Sequence, residues 1–393
     1  MRDKIYRYGI GVIMGALLFG VYVQIAQAIR TTGQDSYFFS YYTTIRQTID
    51  TTYVGVGTKT PSAKQLAYGA LKGLVRSLGD PYSVFLTPEE TEFINDQDSG
   101  SYAGIGATLK QEDASSIRII DLAKDSSAEK GGLHVGDRIV AIDDVPVSEY
   151  SLTESVMHIR GSAGETVSLT VLREKVSDPM VFKIKREERI IAELHVSSRL
   201  VGKTGIIIVP EFGTDTEKEF YAVVKDFLSR GATSFIIDLR KNPGGSVGVC
   251  VAITSAWTDK KKLVTAMKEK DGIREYFSES GGKLFGKKTV VLVSGSSASA
   301  SEILAGALQD WGAATVVGTT TFGKGVAQAH IAYPDGSSLI LTVARWYTPS
   351  GREIHGKGIK PDIEVKNESD DAGKDASHDA QMERALEYLT TGR

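Results

Sequence analysis

Ser294-Gly-Ser-Ser-Ala-Ser299-Ala-Ser-Glu302 and Gly318-Thr-Thr-Thr-Phe-Gly-Lys324-Gly-Val-Ala-Gln328 are two stretches of this chain in which tight turns carry reactive side chains. The first lies between a β-branched apolar run (residues 289–293) and an apolar-periodic segment (303–311), the pattern of a buried strand turning directly into a helix. Such a turn holds its side chain at the positive end of the helix dipole, beside N–H groups without intrahelical partners. That setting suits a nucleophilic serine, whose reaction intermediate needs N–H donors for its oxyanion. The second stretch puts one lysine in a glycine-rich turn after a short predicted strand (314–317).

Plainer readings compete. A serine-rich turn is ordinarily a turn with a cap. Gly318 to Lys324 also matches the opening of the phosphate-binding loop G-x-x-x-x-G-K, but Gly325 stands where that loop needs a Ser or Thr hydroxyl for magnesium. The combination outweighs both, because Lys324 and Gln328 follow Ser299 by 25 and 29 residues.

That spacing, with Ser-Ala-Ser299-Ala-Ser-Glu, resembles the carboxyl-terminal processing, or tail-specific, serine proteases, which use a Ser-Lys pair with a supporting Gln. The similarity continues through Asp238-Leu-Arg-Lys-Asn-Pro-Gly-Gly245, Thr342-Val-Ala-Arg-Trp-Tyr-Thr-Pro-Ser-Gly-Arg352 and His355-Gly-Lys-Gly-Ile-Lys-Pro-Asp-Ile363, and covers residues 40 to 365. The resemblance implies an α+β multidomain fold with a helical amino-terminal region, a PDZ domain and an α/β layered, crotonase-like serine protease core. It assigns Ser299 as nucleophile, Lys324 as base and Gln328 as its support, with the backbone N–H groups of Ala300 and Gly245 as oxyanion donors. It implies an exported endopeptidase acting on protein or peptide substrates with exposed carboxyl-terminal tails. Many family members carry Asn where Ser294 stands here, which leaves the dyad intact and puts the turn geometry in question.

A lysine accepts a proton only when uncharged, so its pKa must fall from ~10.4 towards 7, which costs roughly 4 to 5 kcal/mol and lies within the reach of burial. No acid lies within six residues of Lys324 to hold its charge. Gln328 is neutral and can orient the amine without raising its pKa as a carboxylate would. The competing base is His330, which alternates with Gln328 along one predicted strand. His134 and His355 fall in turns and are expected to be exposed. No His, Cys and acid spacing reads as a metal site, and no cofactor is implied. Cys250, the single cysteine, reads as a small buried apolar residue. With 41 % hydrophobic residues and a formal charge of −3, the chain carries no basic excess for nucleic acid.

Residues 1–30 read as a signal peptide or membrane anchor. Arg2, Lys4 and Arg7 precede a largely apolar stretch (9–28) of spanning length, and Ala26-Gln-Ala28 offers a cleavage site. Cleaved or retained, it places the catalytic part outside the cytoplasm, membrane-anchored or released. Residues 31–98 read as helical, with Tyr37, Phe38, Phe39, Tyr41 and Tyr42 leading an apolar stripe. That stripe serves core packing or, as in some relatives, a homodimer. Residues 99–188 resemble a PDZ domain, a module that adds a peptide to a sheet edge and holds its terminal carboxylate in a loop of N–H groups. Gly104-Ile105-Gly106 matches that loop; the alternative is a PDZ fold that binds only its own protease domain. Arg160 ends the predicted helix 153–160. The resemblance matches it to an arginine that senses PDZ position in some relatives, and a solvated helix-end arginine is the plain alternative. From 189 to 365 strands (205–209, 234–239, 290–293, 315–317, 338–345) alternate with helices (216–229, 246–257), and 366–393 reads as a polar linker with an amphipathic helix at 380–389. A catalytically idle peptide-binding scaffold remains the alternative for the whole chain, against which stands the joint presence of Ser299, Lys324 and Gln328.

Overall fold

The computed structural model describes residues 33–54, 61–98, 101–113, 115–123, 125–190, 195–279, 281–367 and 379–392. The apolar stretch at 9–28 lies outside them, and among the described residues no helix is long and apolar enough to cross a membrane. The chain divides into two compact units between Leu71 and Lys72.

In the first unit, α1 (Gly33–Thr52) leaves Tyr37, Phe38, Phe39, Tyr41 and Ile45 exposed, so this stripe does not form the packed core that its periodicity also allowed. Helix α2 (Ala63–Arg76) runs across the division, and none of its residues is fully buried.

The second unit opens with β1 (Val84–Leu86) and α3 (Pro88–Asp98). A small β-rich module follows, built from β2 (Ser101–Gly104), β3 (Ala107–Asp113), β4 (Ser116–Leu122), the single-turn α4 (Ser127–Lys130), β5 (Arg138–Ile142), β6 (Val145–Pro146), α5 (Leu152–Ile159), β7 (Thr166–Leu172), β8 (Met180–Lys185) and β9 (Glu187–Ile190). Its main sheet runs β3-β4-β5-β7-β8, with β6 beside β5. Alternate residues of these strands (Ile117, Ile119, Val167, Leu169, Val171) point into a core closed by Leu152 and Ile159 of α5. Helix α5 begins with a capping box, Ser151 with Glu154, as expected for Ser-x-x-Glu before an apolar run. At its other end Arg186 donates to the carbonyls of Ile159 (3.0 Å) and His158 (2.8 Å). Arg186 thus adds a cation to the helix end that Arg160 closes.

The remaining chain builds the larger layered core. Its elements are β10 (Ser197–Val201), β11 (Thr204–Ile208), α6 (Thr216–Ser229), β12 (Ser234–Asp238), α7 (Val247–Thr254), β13 (Leu263–Glu269), β14 (Gly272–Phe277), β15 (Lys288–Val293), α8 (Ala300–Asp310), β16 (Thr315–Gly318), β17 (Val326–Ala332), β18 (Ser338–Tyr347), β19 (Ile363–Glu364) and α9 (Ala380–Thr391). The central sheet is ordered β10-β11-β12-β15-β16-β19 and is parallel from β11 onward. Parallel strands are apolar on both faces and need cover on both. Ile207, Phe235, Ile237, Val291 and Val316 meet Phe220, Phe227, Ile253, Ile303 and Leu304 of α6, α7 and α8 on one side. Ile206, Ile236, Val290, Leu292 and Val317 meet Met382, Ala385 and Leu389 of α9 on the other. The short amphipathic helix expected after a polar linker is therefore a layer of the core. A second sheet, β1-β18-β13-β14 with β17 beside β18, adds Val264, Met267, Ala344 and Trp346 to the first helical layer's core. The β13–β14 hairpin was not predicted from the sequence.

Candidate active site

Both turns singled out in the sequence lie at the carboxyl ends of parallel strands, where α/β sheets place their ligands. Strand β15 ends at Val293, and the serine-rich turn leads into α8. Ser299 sits just ahead of α8 with φ 55° and ψ −115°, a backbone conformation that costs an L-residue of order 1–3 kcal/mol and marks a constrained turn. Ser299 is half-buried, whereas Ser297 and Ser301 are fully buried. The Ser297 hydroxyl donates to the Leu239 carbonyl at 2.7 Å and the Ser301 hydroxyl to the Asn242 carbonyl at 2.9 Å. Ser294 supports the turn as well: its hydroxyl donates to the Arg240 carbonyl and accepts the Ser296 N–H at 3.1 Å. Ser294 thus braces the turn, with its hydroxyl bonded on both sides.

The Asn242-Pro-Gly-Gly245 turn, which follows β12, closes over Ser299. Asn242 is fully buried; its amide donates to the Val209 carbonyl at 2.9 Å and its Oδ1 accepts the Gly244 N–H at 2.8 Å. Gly244 and Gly245 have φ of 118° and 128°. A Cβ on Gly244 would stand 2.8 Å from Ser299 Cβ, and one on Gly245 would stand 2.6 Å from the Phe212 carbonyl oxygen. Only glycine fits both requirements. Among the described residues neither the Gly245 nor the Ala300 N–H has a protein acceptor, whereas that of Gly244 is spent on Asn242.

Glu302 joins this turn to the lysine loop, and the sequence analysis gave it no role. It is fully buried in the first turn of α8. Its Oε2 accepts the Ser299 N–H and the Lys324 N–H, each at 2.9 Å; its Oε1 accepts the Thr321 hydroxyl at 2.5 Å and the Gly323 N–H at 2.7 Å. The backbone nitrogens of Ser299 and Lys324 therefore hang from one oxygen atom. Burial pushes the Glu302 carboxyl up, against these four hydrogen bonds. Glu302 stands 22 positions before Lys324, too far along the chain to be read as its neighbour in the sequence. Its one sequence signal was the Ser-x-x-Glu spacing from Ser299 at a helix start.

The Lys324 side chain is half-buried, and among the described residues its Nζ makes no hydrogen bond or ion pair. Burial lowers its pKa below the usual 10.5, opposed by the charge of Glu302. Gln328 lies on β17 beside a bulge, and its amide donates to Thr342 Oγ1 at 3.4 Å. Among the described residues Gln328 bonds Thr342 and not Lys324. His330, two residues along the same strand, is exposed. His134 is exposed as expected, but His355 is half-buried, with a buried Nδ1 that has no partner among the described residues. Cys250 is fully buried beneath α8; its thiol donates to the Ala300 carbonyl at 3.1 Å, and burial pushes it up to about 12. No cluster of metal-ligating residues occurs among the described residues.

In the smaller module, Gly104 ends β2, and Ile105 and Gly106 form the link to β3. The Ile105 side chain is buried in the module's core, and its carbonyl accepts the Ala128 N–H at 2.9 Å. The N–H groups of Ile105 and Gly106 have no protein acceptor among the described residues. Arg160 follows α5 with extended backbone and is half-buried. The module reaches both turns of the site: Lys110 of β3 donates to the Phe322 carbonyl, and Asp121 of β4 accepts the Ser296 hydroxyl at 3.1 Å.

Residues 203–365 match Peptidase family S41, and residues 94–172 match the PDZ domain. The Carboxy-terminal-processing protease of Bartonella bacilliformis is 34 % identical over 373 residues, 93 % of this chain and 83 % of that one. The chain belongs to peptidase family S41. Carboxy-terminal processing protease CtpA of Bacillus subtilis is 36 % identical over 302 residues, 77 % of this chain and 64 % of its own length. The solved structure of the photosystem II D1 C-terminal processing protease superposes with a TM-score of 0.67 at 26 % identity, covering 82 % of this chain and 86 % of that one. The protein is accordingly a serine peptidase of the carboxy-terminal processing type, with a PDZ domain and a layered α/β core.

Glu302→Gln tests the shared oxygen. An amide would turn one set of donors against another N–H donor, so the two turns must shift. A displacement of that order costs about 10²-fold in turnover, and a buried polar mismatch costs about 1–3 kcal/mol of stability. Peptide turnover and thermal melting measure the two losses; a variant with normal values of both would show that Glu302 positions nothing.

Proposed function

We propose that this protein is an exported endopeptidase that takes carboxyl-terminal tails of loosely folded proteins into its PDZ groove and cleaves them with Ser299 and Lys324. The observation that carries the assignment is the single Glu302 oxygen from which both residues' N–H groups hang. In this reading Ser299 Oγ attacks the scissile carbonyl while uncharged Lys324 Nζ takes its proton. The N–H groups of Ala300 and Gly245 hold the oxyanion, the role that their lack of protein acceptors leaves open. Lys324 then returns the proton to the departing amine, and a water, deprotonated by the same amine, releases the acyl-enzyme. Gln328 acts through Thr342, its partner in the resting arrangement, or swings to the amine when substrate is bound.

Export rests on the basic and apolar sequence of residues 2–28, as a cleaved signal or a membrane anchor. The exposed aromatic stripe of α1 is the surface for a homodimer. Tail capture rests on the N–H groups of Ile105 and Gly106, which have no acceptor among the described residues and suit a terminal carboxylate. Arg160, at the end of the helix that borders this groove, is the residue that couples groove occupancy to the peptidase.

One comparison tests capture and coupling together. An unstructured polypeptide with a free apolar carboxyl terminus should be cleaved about tenfold faster than the same chain ending in an amide, because one charge-assisted set of hydrogen bonds is lost. Arg160→Ala should shrink that difference while leaving tail-peptide affinity unchanged, as a switch requires a contact that differs between two states. Equal rates for acid and amide termini would end the capture reading, and loss of affinity in Arg160→Ala would make Arg160 a ligand contact.

A further inference from the structure

Tyr82 stands where the PDZ module, the second sheet and the lysine loop meet. It closes the Gly79-Asp-Pro-Tyr turn that follows α2, with its N–H donated to Asp80 Oδ1 at 3.0 Å. The next residue fastens the turn at both sides: the Ser83 hydroxyl donates to Asp80 Oδ2 at 2.6 Å and accepts the Thr342 N–H at 2.9 Å. Thr342 is also the residue that Gln328 bonds. The Tyr82 ring packs against the PDZ core on one side and edge-on against the His355 ring, 6.1 Å away between centroids. The Lys324 Nζ lies 5.5 Å from the Tyr82 ring centroid. The tyrosine hydroxyl makes no hydrogen bond among the described residues, so its contribution here is the ring.

We propose that Tyr82 is a positioning residue of the peptidase site, whose ring closes Lys324 Nζ off from water and holds the amine in its uncharged, proton-accepting form. The inference rests on Lys324 being the base. Two effects of the ring oppose each other. Its π face favours a cation, and its bulk removes the water that would solvate one. Exclusion of water is the larger effect, since burial can lower a lysine pKa by up to about 3 to 5, and at 5.5 Å the cation lies near the outer limit for attraction to the ring. The other charged or titratable groups around the amine are few. Glu302 favours the ammonium, and the Lys110 ammonium is held nearby in the chain at the Phe322 carbonyl. Asp80 and His355 stand behind the tyrosine. Burial and the nearby Asp80 and Glu302 push the Tyr82 hydroxyl up to about 12, so the ring brings no charge of its own at neutral pH.

The test titrates the amine directly. In a Ser299→Ala background, acetylation of Lys324 by acetic anhydride is followed by mass spectrometry from pH 6 to 11, and the acid limb of kcat/KM is measured in the Ser299 enzyme. With Tyr82→Ala the midpoint of Lys324 labelling should rise by about one pH unit, and the acid limb with it. Tyr82→Phe, which keeps the ring, should leave both in place. Tyr82→Gln keeps bulk and brings in water, and should raise the midpoint as well, which decides the matter if the alanine variant does not fold. A midpoint that stays or falls in the alanine and glutamine variants overturns the proposal. Lys324→Ala separates this failure from that of the base assignment: if it still cleaves, both fall; if it is inactive, only the role of Tyr82 does.

Discussion

Ser299→Ala should abolish peptide-bond cleavage, with a loss of at least about 10⁴-fold in turnover, the result expected from removing the proposed nucleophile. Its neighbours give the opposite pattern. The hydroxyls of Ser297 and Ser301 are buried and committed to the Leu239 and Asn242 carbonyls. Truncating either one strands a buried acceptor and costs about 1–3 kcal/mol of stability. The Ser299 backbone, at φ 55°, is strained for any residue with a Cβ. Ser299→Gly should therefore be inactive and also more stable than Ser299→Ala, by about 1 kcal/mol, in thermal melting. An active Ser299→Ala beside a folded but inactive Ser301→Ala would move the nucleophile to the wrong side of the turn and sink the assignment.

Lys324→Arg should be inactive, with a loss comparable to that of Lys324→Ala. Arginine stays protonated and its fork does not fit a site shaped for one amine. In the proposed mechanism the uncharged amine is the working form, so activity should rise with pH through the Lys324 pKa. Burial sets that rise below the ordinary lysine value of 10.5. The sign for stability follows from the same shift. Between the folded and unfolded pKa values the unfolded chain binds more protons at this residue, so stability climbs with pH across that window and is lower beneath it. Lys324→Met should remove this slope from urea unfolding measured between pH 7 and 11. An arginine variant with near-native turnover, or a profile that falls as pH rises through the window, would exclude the uncharged lysine as base.

Periodicity and turn chemistry determined a great deal of this protein without tertiary information. The helix at 216–229 forms with the predicted ends, because it carries its own period and its own stop signals. The serine turn was legible because strand, small residues and helix start follow one another within the chain. The resemblance rested on whole motifs, and family membership agrees with it. Other features depend on residues far apart in sequence. The helix at Ala380–Thr391 is legible as amphipathic, but what its apolar side covers, the rear face of the parallel sheet, shows only in the fold. The hairpin Leu263–Phe277 has strands only weakly marked by their own pattern, stabilised by pairing with β18 and by packing on α8. Glu302 looks like a helix cap in sequence. Only folding brings Thr321, Gly323 and Lys324 to its carboxylate, and only there does one buried oxygen tie Ser299 to Lys324. The physical reason is range: propensity and periodicity act over a few residues, whereas burial and the hydrogen bonds that burial makes obligatory join groups that the sequence holds apart.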